Sequence, residues 1–191
     1  MIWLLLAIAL WGVLHSLLAS HRAKDFFRRT FGDGFMRSYR LLYNVFALIS
    51  FLPILYLMFT LPARELYSVP APFSYLMRAG QGISLILLVV AVLQTDLLSF
   101  VGLRQIFAEE TKGPLMTGGL YRYVRHPLYT FSLLILWLSP TMTLNSFIVY
   151  LALTVYILIG IVFEERKLLR EFGDEYANYR SVTPMLIPGI F

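Results

Sequence analysis

Two stretches hold most of the side chains able to do chemistry. The first runs Thr117-Gly118-Gly119-Leu120-Tyr121-Arg122-Tyr123-Val124-Arg125-His126-Pro127-Leu128-Tyr129. Its paired glycines permit positive φ and a close approach of backbone to a ligand. Pro127 suits the first turn of a helix and releases His126 from helical geometry. The amino end of that helix would turn spare N–H groups and a positive dipole end toward an anionic group such as a carboxylate or phosphate. The competing reading is a plain loop, with glycines for turning and aromatic rings lying at an interface.

The second stretch runs Phe163-Glu164-Glu165-Arg166-Lys167-Leu168-Leu169-Arg170-Glu171-Phe172-Gly173-Asp174-Glu175-Tyr176-Ala177-Asn178-Tyr179-Arg180. Glu165, Leu168, Leu169, Phe172, Tyr176 and Tyr179 recur at spacings of three or four, so one helix face combines a carboxylate with aromatic surface, with Gly173 as a break. A solvated amphipathic tail is the plainer alternative. It fits two adjacent carboxylates directly after an apolar run less well, because one of them must face inward. An inward Glu would accept hydrogen bonds from a ribose diol or an ammonium group.

Composition excludes several chemistries. The absence of cysteine removes disulfides, thiolate zinc sites, iron–sulfur clusters and cysteine nucleophiles. Three histidines, His15, His21 and His126, stand without an H-E-x-x-H pattern, so no protein-held metal is expected. No G-x-G-x-x-G follows a strand and there is no Walker loop, so soluble nucleotide-binding folds are not expected. The 191 residues are 59% hydrophobic and 14% charged, with a mean hydropathy of +0.72. Soluble domains carry roughly 25% charged residues, so a water-soluble globule is excluded and an all-α integral membrane protein is expected.

A bilayer core of roughly 30 Å takes about 20 apolar residues as a helix. Five stretches come near that length: residues 2–18, 41–61, 80–98, 127–139 and 144–163. The runs are continuous, which favours helices over barrel strands. No basic residue precedes the first and a basic segment follows at once, the order of a retained span and not of a cleaved signal peptide. Of the sixteen Lys and Arg residues, fourteen fall in the first loop (Arg22, Lys24, Arg28, Arg29, Arg37, Arg40), the third loop (Arg104, Lys112, Arg122, Arg125) and the tail (Arg166, Lys167, Arg170, Arg180). That side is the cytoplasm by the positive-inside rule, with the amino terminus outside, in the inner membrane if the source is prokaryotic. The +5 formal charge is therefore topological, and no nucleic-acid partner is needed. No repeat or linker interrupts the chain, so residues 1–191 read as one domain. Pro53 should kink the second span.

The fourth and fifth spans, joined by Pro140-Thr141-Met142-Thr143, read as a helical hairpin with a tight outer turn. The shorter rises only about 20 Å and the longer about 30 Å, so the fourth ends about 10 Å short of the cytoplasmic boundary if both stand upright. Arg125 and His126 then lie below the headgroups on non-helical backbone, which protein or a watery cavity must satisfy. A cavity open to the cytoplasm is expected. Its rival is a tilted hairpin with Arg125 reaching to the interface.

The run Arg125-His126-Pro127-Leu128-Tyr129, followed after the hairpin by Glu164-Glu165, Tyr176, Tyr179 and Pro188, resembles the isoprenylcysteine carboxyl methyltransferase and phospholipid methyltransferase superfamily. The resemblance covers residues of about 90 to 188. Within it the chain is most similar to methanethiol S-methyltransferases and NnrU-like membrane proteins, through His15-Ser16, Phe100-Val101-Gly102-Leu103-Arg104-Gln105, the outer turn and Glu164-Glu165-Arg166. Phe131 departs from the pattern, standing where many relatives carry Gly. The resemblance implies a membrane enzyme that uses S-adenosyl-L-methionine to methylate a small thiol or a lipophilic acceptor.

By that resemblance Arg125, His126 and Tyr129, with Gly119 and Pro127 beside them, border the methionine end of the donor. Glu165 or Glu164 holds ribose or amine, and Tyr121, Tyr176 and Tyr179 pack against adenine. The sulfonium favours aromatic faces. A thiol must lose its proton, and His126 is the nearest base, with Arg125 beside it at the reacting centre. His15 is either a second base or a hydrogen-bonded helix-packing residue. Asp96 is a pocket wall or an interfacial anchor, and Arg104 an anchor before a substrate contact. Two other readings stand: an NADPH-dependent membrane reductase of the steroid reductase type, and a non-catalytic NnrU-like membrane protein. A transporter is disfavoured by the lack of an inverted repeat.

Overall fold

The computed structural model describes residues 1–107 and 113–189, so Lys112 of the basic third loop lies outside the described residues. Nearly all described elements are helices, and four are long and apolar enough to cross a membrane. Their side chains are largely uncovered: Leu5, Leu10, Leu17, Leu48, Ile86 and Ile159 are all exposed. In water such surface is untenable, whereas in lipid it is the normal outer face of a span. The chain divides into two compact units, Met1–Arg64 with Asp96–Lys112 and Glu65–Thr95 with Gly113–Phe191.

In the first unit α1 (Ile2–Ala19) ends at Ser20, whose hydroxyl accepts from Ala23 N–H and so starts α2 (His21–Thr60). The long apolar faces of α1 and α2 pack along each other, burying Leu4 and Ile54. Trp11 Nε1 donates to the Ala47 carbonyl at 3.3 Å, and Tyr39 Oη donates to the Leu18 carbonyl at 2.7 Å.

The helix that carries the expected second span, 41–61, starts earlier, at His21, holds Pro53 within it, and has non-helical backbone at Gly32 (φ 77°, ψ 177°). The break is a reversal. Phe27 and Tyr39 are twelve residues apart, about 18 Å along a straight helix, yet their rings lie 5.4 Å apart. Phe27 also meets Phe35 at 5.8 Å. Arm 21–31 therefore folds back on the start of arm 33–60, and only glycine takes this backbone without strain.

Two short helices, α4 (Leu97–Val101) and α5 (Arg104–Phe107), rest against α2. Asn44 Nδ2 donates to the Val101 carbonyl at 2.8 Å. Gly102 closes α4 at φ 98°, and a Cβ there would lie 2.5 Å from the Leu41 backbone nitrogen.

In the second unit α3 (Phe73–Gln94) packs on α6 (Pro127–Trp137), with Gln81 Nε2 donating to the Ile135 carbonyl at 2.7 Å. The helix that carries the expected third span, 80–98, runs from Phe73 to Gln94, earlier at both ends, with Arg78 inside its first turns. The expected fourth span is the 11-residue α6, which is shorter than the four span-length helices. The connection from α6 to the next long helix is more than a bare turn. Strand β2 (Thr141–Thr143) pairs antiparallel with β1 (Glu65–Ser68), Tyr67 opposite Met142. Thr143 and Ser146 then form a reciprocal cap on α7 (Leu144–Phe172). Twenty-nine residues make α7 about 44 Å long, so its last turns outrun a bilayer core. Gly173 (φ 54°) separates it from α8 (Asp174–Val182).

Gly102→Ala should be among the most damaging single-methyl changes in the first unit. A non-glycine at that φ with backbone in the way is expected to cost about 2 kcal/mol or more and lower the melting midpoint by roughly 4–8 °C. Gly12→Ala, with nothing within 4 Å of its Cβ, should leave the midpoint unchanged or raise it.

Candidate functional site

The site is assembled around the start of α6 and the end of α7. Gly119 (φ 59°) begins a 3-10 turn, Gly119–Arg122, and any Cβ there would sit 2.4 Å from the Gln94 amide. The Gln94 Oε1 accepts from Leu120 N–H at 3.0 Å, so the last residue of α3 fixes the turn. Gly119 is therefore required first by a neighbouring side chain. The turn aims the Tyr121 carbonyl at Tyr179, whose hydroxyl donates to it at 2.5 Å.

Past the turn, His126 adopts φ −125° and ψ 63°, and Pro127, fully buried, is the first residue of α6. No side chain caps that first turn. The non-helical backbone expected here is satisfied by protein. Arg125 N–H donates to the Pro184 carbonyl at 2.9 Å and His126 N–H to that of Met185 at 3.2 Å. Thr130 Oγ1 lies 2.9 Å from the Leu186 carbonyl and 3.1 Å from that of His126. Residues 183–186 form a strap of carbonyls laid along the motif.

Arg125 does not reach outward. Its Nε and Nη2 each lie 2.8 Å from Glu165 Oε1, with both side chains less than a tenth exposed. Its Nη1 donates to the carbonyls of Arg180, at 3.2 Å, and Thr183. His126 Nε2 is 3.3 Å from the same Oε1, and Arg180 Nε is 3.5 Å from Oε2. A carboxylate this deep is held by charge and by multiple donors, the condition under which a buried ion pair is tolerated.

The adjacent glutamates diverge, being about 100° apart around the helix. Glu165 is buried, while the Glu164 side chain is 44% exposed. Glu164 Oε2 accepts from Tyr129 Oη at 2.9 Å and lies 3.9 Å from His126 Nδ1. The imidazole thus faces a carboxylate at each nitrogen, with the Tyr129 ring 5.7 Å away.

Tyr176 is 1% exposed, and its hydroxyl meets no hydrogen-bond partner of good geometry among the described residues. Burial first, and then the negative charge of Glu165 close by, push this phenol up to about 12. Burial, followed by the charge of Glu164, likewise raises Tyr121 to about 12. Burial raises Tyr179 as well. These rings form a low-polarity wall beside the carboxylates, with Tyr176 and Tyr179 edge to face at 6.0 Å.

Gly119, Tyr121, Arg125, His126, Pro127, Tyr129, Glu164, Glu165, Tyr176 and Tyr179 all lie in the second unit. His15, Asp96 and Arg104 belong to the first and are engaged there. His15 Nε2 is 2.5 Å from Tyr43 Oη and its ring stacks on Trp11 at 4.8 Å. Asp96 caps α4 through Ser99 and pairs with Arg104 at 2.6 Å. The hydrogen bonds from Ser99, before the Arg104 charge, hold its carboxyl below the usual range. Sequence reasoning missed Thr130 and the strap carbonyls, and gave Gln94 and Arg180 no role in the site. Main-chain carbonyls leave no sequence signal except the spacing of Pro184 and Pro188.

Long apolar helices bearing this buried cluster define an integral membrane protein, and the chain belongs to the NnrU protein family, whose model matches residues 3–189. Among characterised relatives it is similar to the methanethiol S-methyltransferase of Crocosphaera subtropica, 44% identical over 94 residues, covering 47% of this chain and 37% of that protein. Methanethiol S-methyltransferase 1 of Bradyrhizobium diazoefficiens is 30% identical over 190 residues, covering 96% of this chain and 65% of the relative. Methanethiol S-methyltransferase 2 of the same organism is 43% identical over 101 residues, covering 50% of this chain and 39% of the relative. The chain thus spans less than two thirds of the length of these relatives. No solved structure matches.

The raised tyrosines give a sign for pH dependence. A phenol that keeps its proton more firmly folded than unfolded stabilises the fold below pH 10 and loses that contribution as pH climbs toward 12. The melting midpoint should therefore fall across pH 10–12, and Tyr121→Phe or Tyr176→Phe should flatten the fall. At pH 7 Tyr176→Phe, which removes a hydroxyl without a partner of good geometry among the described residues, should leave the midpoint within about 2 °C. Thermal melts followed by circular dichroism would show both.

Proposed function

We propose that this protein is a membrane-embedded S-adenosyl-L-methionine-dependent methyltransferase acting on a small thiol of the methanethiol kind, or failing that on a lipophilic acceptor. The observation that carries the reading is the convergence of Arg125 and His126 with Glu165, and of Tyr129 with Glu164. The names of the similar proteins give the reaction class.

The residues present suit such a donor. Glu164 offers a half-exposed carboxylate for an amine or diol, and the uncapped start of α6 offers N–H groups to a carboxylate. Tyr121 and Tyr179 supply aromatic surface for adenine, with the buried Tyr176 packed edge to face on Tyr179, and the Tyr176 hydroxyl, without a partner of good geometry among the described residues, is a polar atom in need of one. When bound, S-adenosylmethionine supplies an electrophilic methyl group on a sulfonium.

The chain's part is to align the acceptor and exclude water. Arg125, His126 and Tyr129 border the reacting end. His126 takes the thiol proton at Nδ1, whose nearest carboxylate oxygen, on Glu164, is 3.9 Å away, while Nε2 stays against Glu165. Arg125 and Glu165 hold His126 and the start of α6 in place. His15, Asp96 and Arg104, held by partners within the first unit, carry no step in this reading.

Residues 1–191 act as one methyltransferase domain, with about 90–188 the donor-binding part. In this reading the chain crosses five times, the half-length α6 among the crossings, with the amino terminus outside and the carboxyl terminus in the cytoplasm. Fourteen of sixteen Lys and Arg on one side support this orientation.

Calorimetric titration of the protein in nanodiscs with S-adenosylhomocysteine should give saturable binding. Glu165→Ala should abolish it, and Glu164→Gln should weaken it at least about tenfold, about 1.4 kcal/mol, without moving the melting midpoint. Headspace dimethyl sulfide should follow addition of methanethiol and donor. Binding of NADPH instead would favour the reductase, and binding of neither would leave a non-catalytic protein.

A further inference from the structure

The folded-back arm 21–31 holds a feature that topology does not require. Its basic residues suffice to orient the chain, yet it also shows Phe26 and Phe31 to solvent, 62% and 57% exposed. A charge bias needs no uncovered aromatic rings. At about 100° per residue, Phe26, Ala23, Thr30, Phe27 and Phe31 fall on one arc of about 140°. Arg22 and Arg29 border one edge of that arc, Lys24 and Arg28 the other, and Asp25 lies opposite.

Phe27 turns inward onto Phe35 and Tyr39 of the returning arm, which keeps the hairpin together. Phe31 also meets Phe35, at 5.1 Å, and Phe26 flanks the seam, each with more than half of its surface uncovered. The returning arm adds Arg37 and Arg40, so residues 21–40 carry six Lys or Arg against Asp25 and Asp33. By sequence residues 21–40 thus have a formal net charge of +4, with Arg28 paired to Asp33 at 3.3 Å. Apolar rings bordered on both sides by long cationic side chains match the boundary between acyl chains and anionic headgroups: the rings enter, and the cations reach up to phosphate.

We infer that residues 21–40 form a helical hairpin that docks on an anionic phospholipid surface, with Phe26 and Phe31 inserted and the arginines on the headgroups. This is independent of the methyltransferase reading. The Gly32 reversal is what lays arm 21–31 against residues 33–40 instead of continuing the helix.

Because the chain has no cysteine, a single introduced one takes a single nitroxide label. Full-length Thr30→Cys and Asp25→Cys proteins would be reconstituted in nanodiscs of phosphatidylcholine, with and without phosphatidylglycerol. Collision with oxygen and with a water-soluble nickel chelate is then measured by EPR. With phosphatidylglycerol the oxygen-to-nickel ratio at residue 30 should exceed that at residue 25 by about fivefold. The difference should shrink in phosphatidylcholine alone, in high salt, or when Arg22, Arg28 and Arg29 are changed to Gln. Equal water access at both positions in both membranes would overturn the proposal. So would equal burial of residue 30 in both lipids, which would mark an apolar anchor with no headgroup recognition.

Discussion

The salt link between Arg125 and Glu165 is the constraint from which the second unit is built. Each side chain is less than a tenth exposed, and moving an unpaired charge to such depth costs several kcal/mol. The chain must therefore keep the start of α6, the end of α7 and the tail together, because each supplies part of what the pair needs. Arg125 reaches Glu165 with two nitrogens and the Arg180 and Thr183 carbonyls with the third. Glu165 in turn serves His126 and Arg180. Removing one element leaves the others with uncompensated charge.

The pair also explains how two adjacent glutamates divide their tasks. With both Glu165 oxygens facing protein partners, the half-exposed Glu164 is the carboxylate left to meet a ligand. Its link to Tyr129 and its distance from His126 keep it in the same cluster. The buried tyrosines reinforce this by lowering the local polarity around both acids. Structure and chemistry are served by the same few residues, which is why the cluster tolerates so little rearrangement.

Much of this was legible in the residues. Pro127 marked the start of α6, the Thr143 turn marked the start of α7, and the end of the apolar run put Glu164 and Glu165 where one had to face inward. Gly173 marked the break before α8. What escaped notice had physical reasons. Arm 21–31 reads as a loop because its charges interrupt the apolar run, yet Phe27 against Phe35 and Tyr39 gives it a tertiary partner that no local window contains. Arg78 hid the first turns of α3 for the same reason. The strand pair joins residues more than seventy positions apart. The strap works through main-chain carbonyls, which every sequence has and no pattern announces. The expected need to satisfy the backbone at Arg125 and His126 was correct in kind, and the strap carbonyls supply it.

A double-mutant cycle on reversible unfolding in lipid–detergent micelles tests the central link most directly, using Arg125→Met, Glu165→Leu and the combination. Each single change should cost about 3 kcal/mol or more, because it strands a buried charge, and the pair together should cost at least about 2 kcal/mol less than the sum. Additivity to within about 0.5 kcal/mol would show that the two side chains do not depend on each other, and the account of the site built on them would fall.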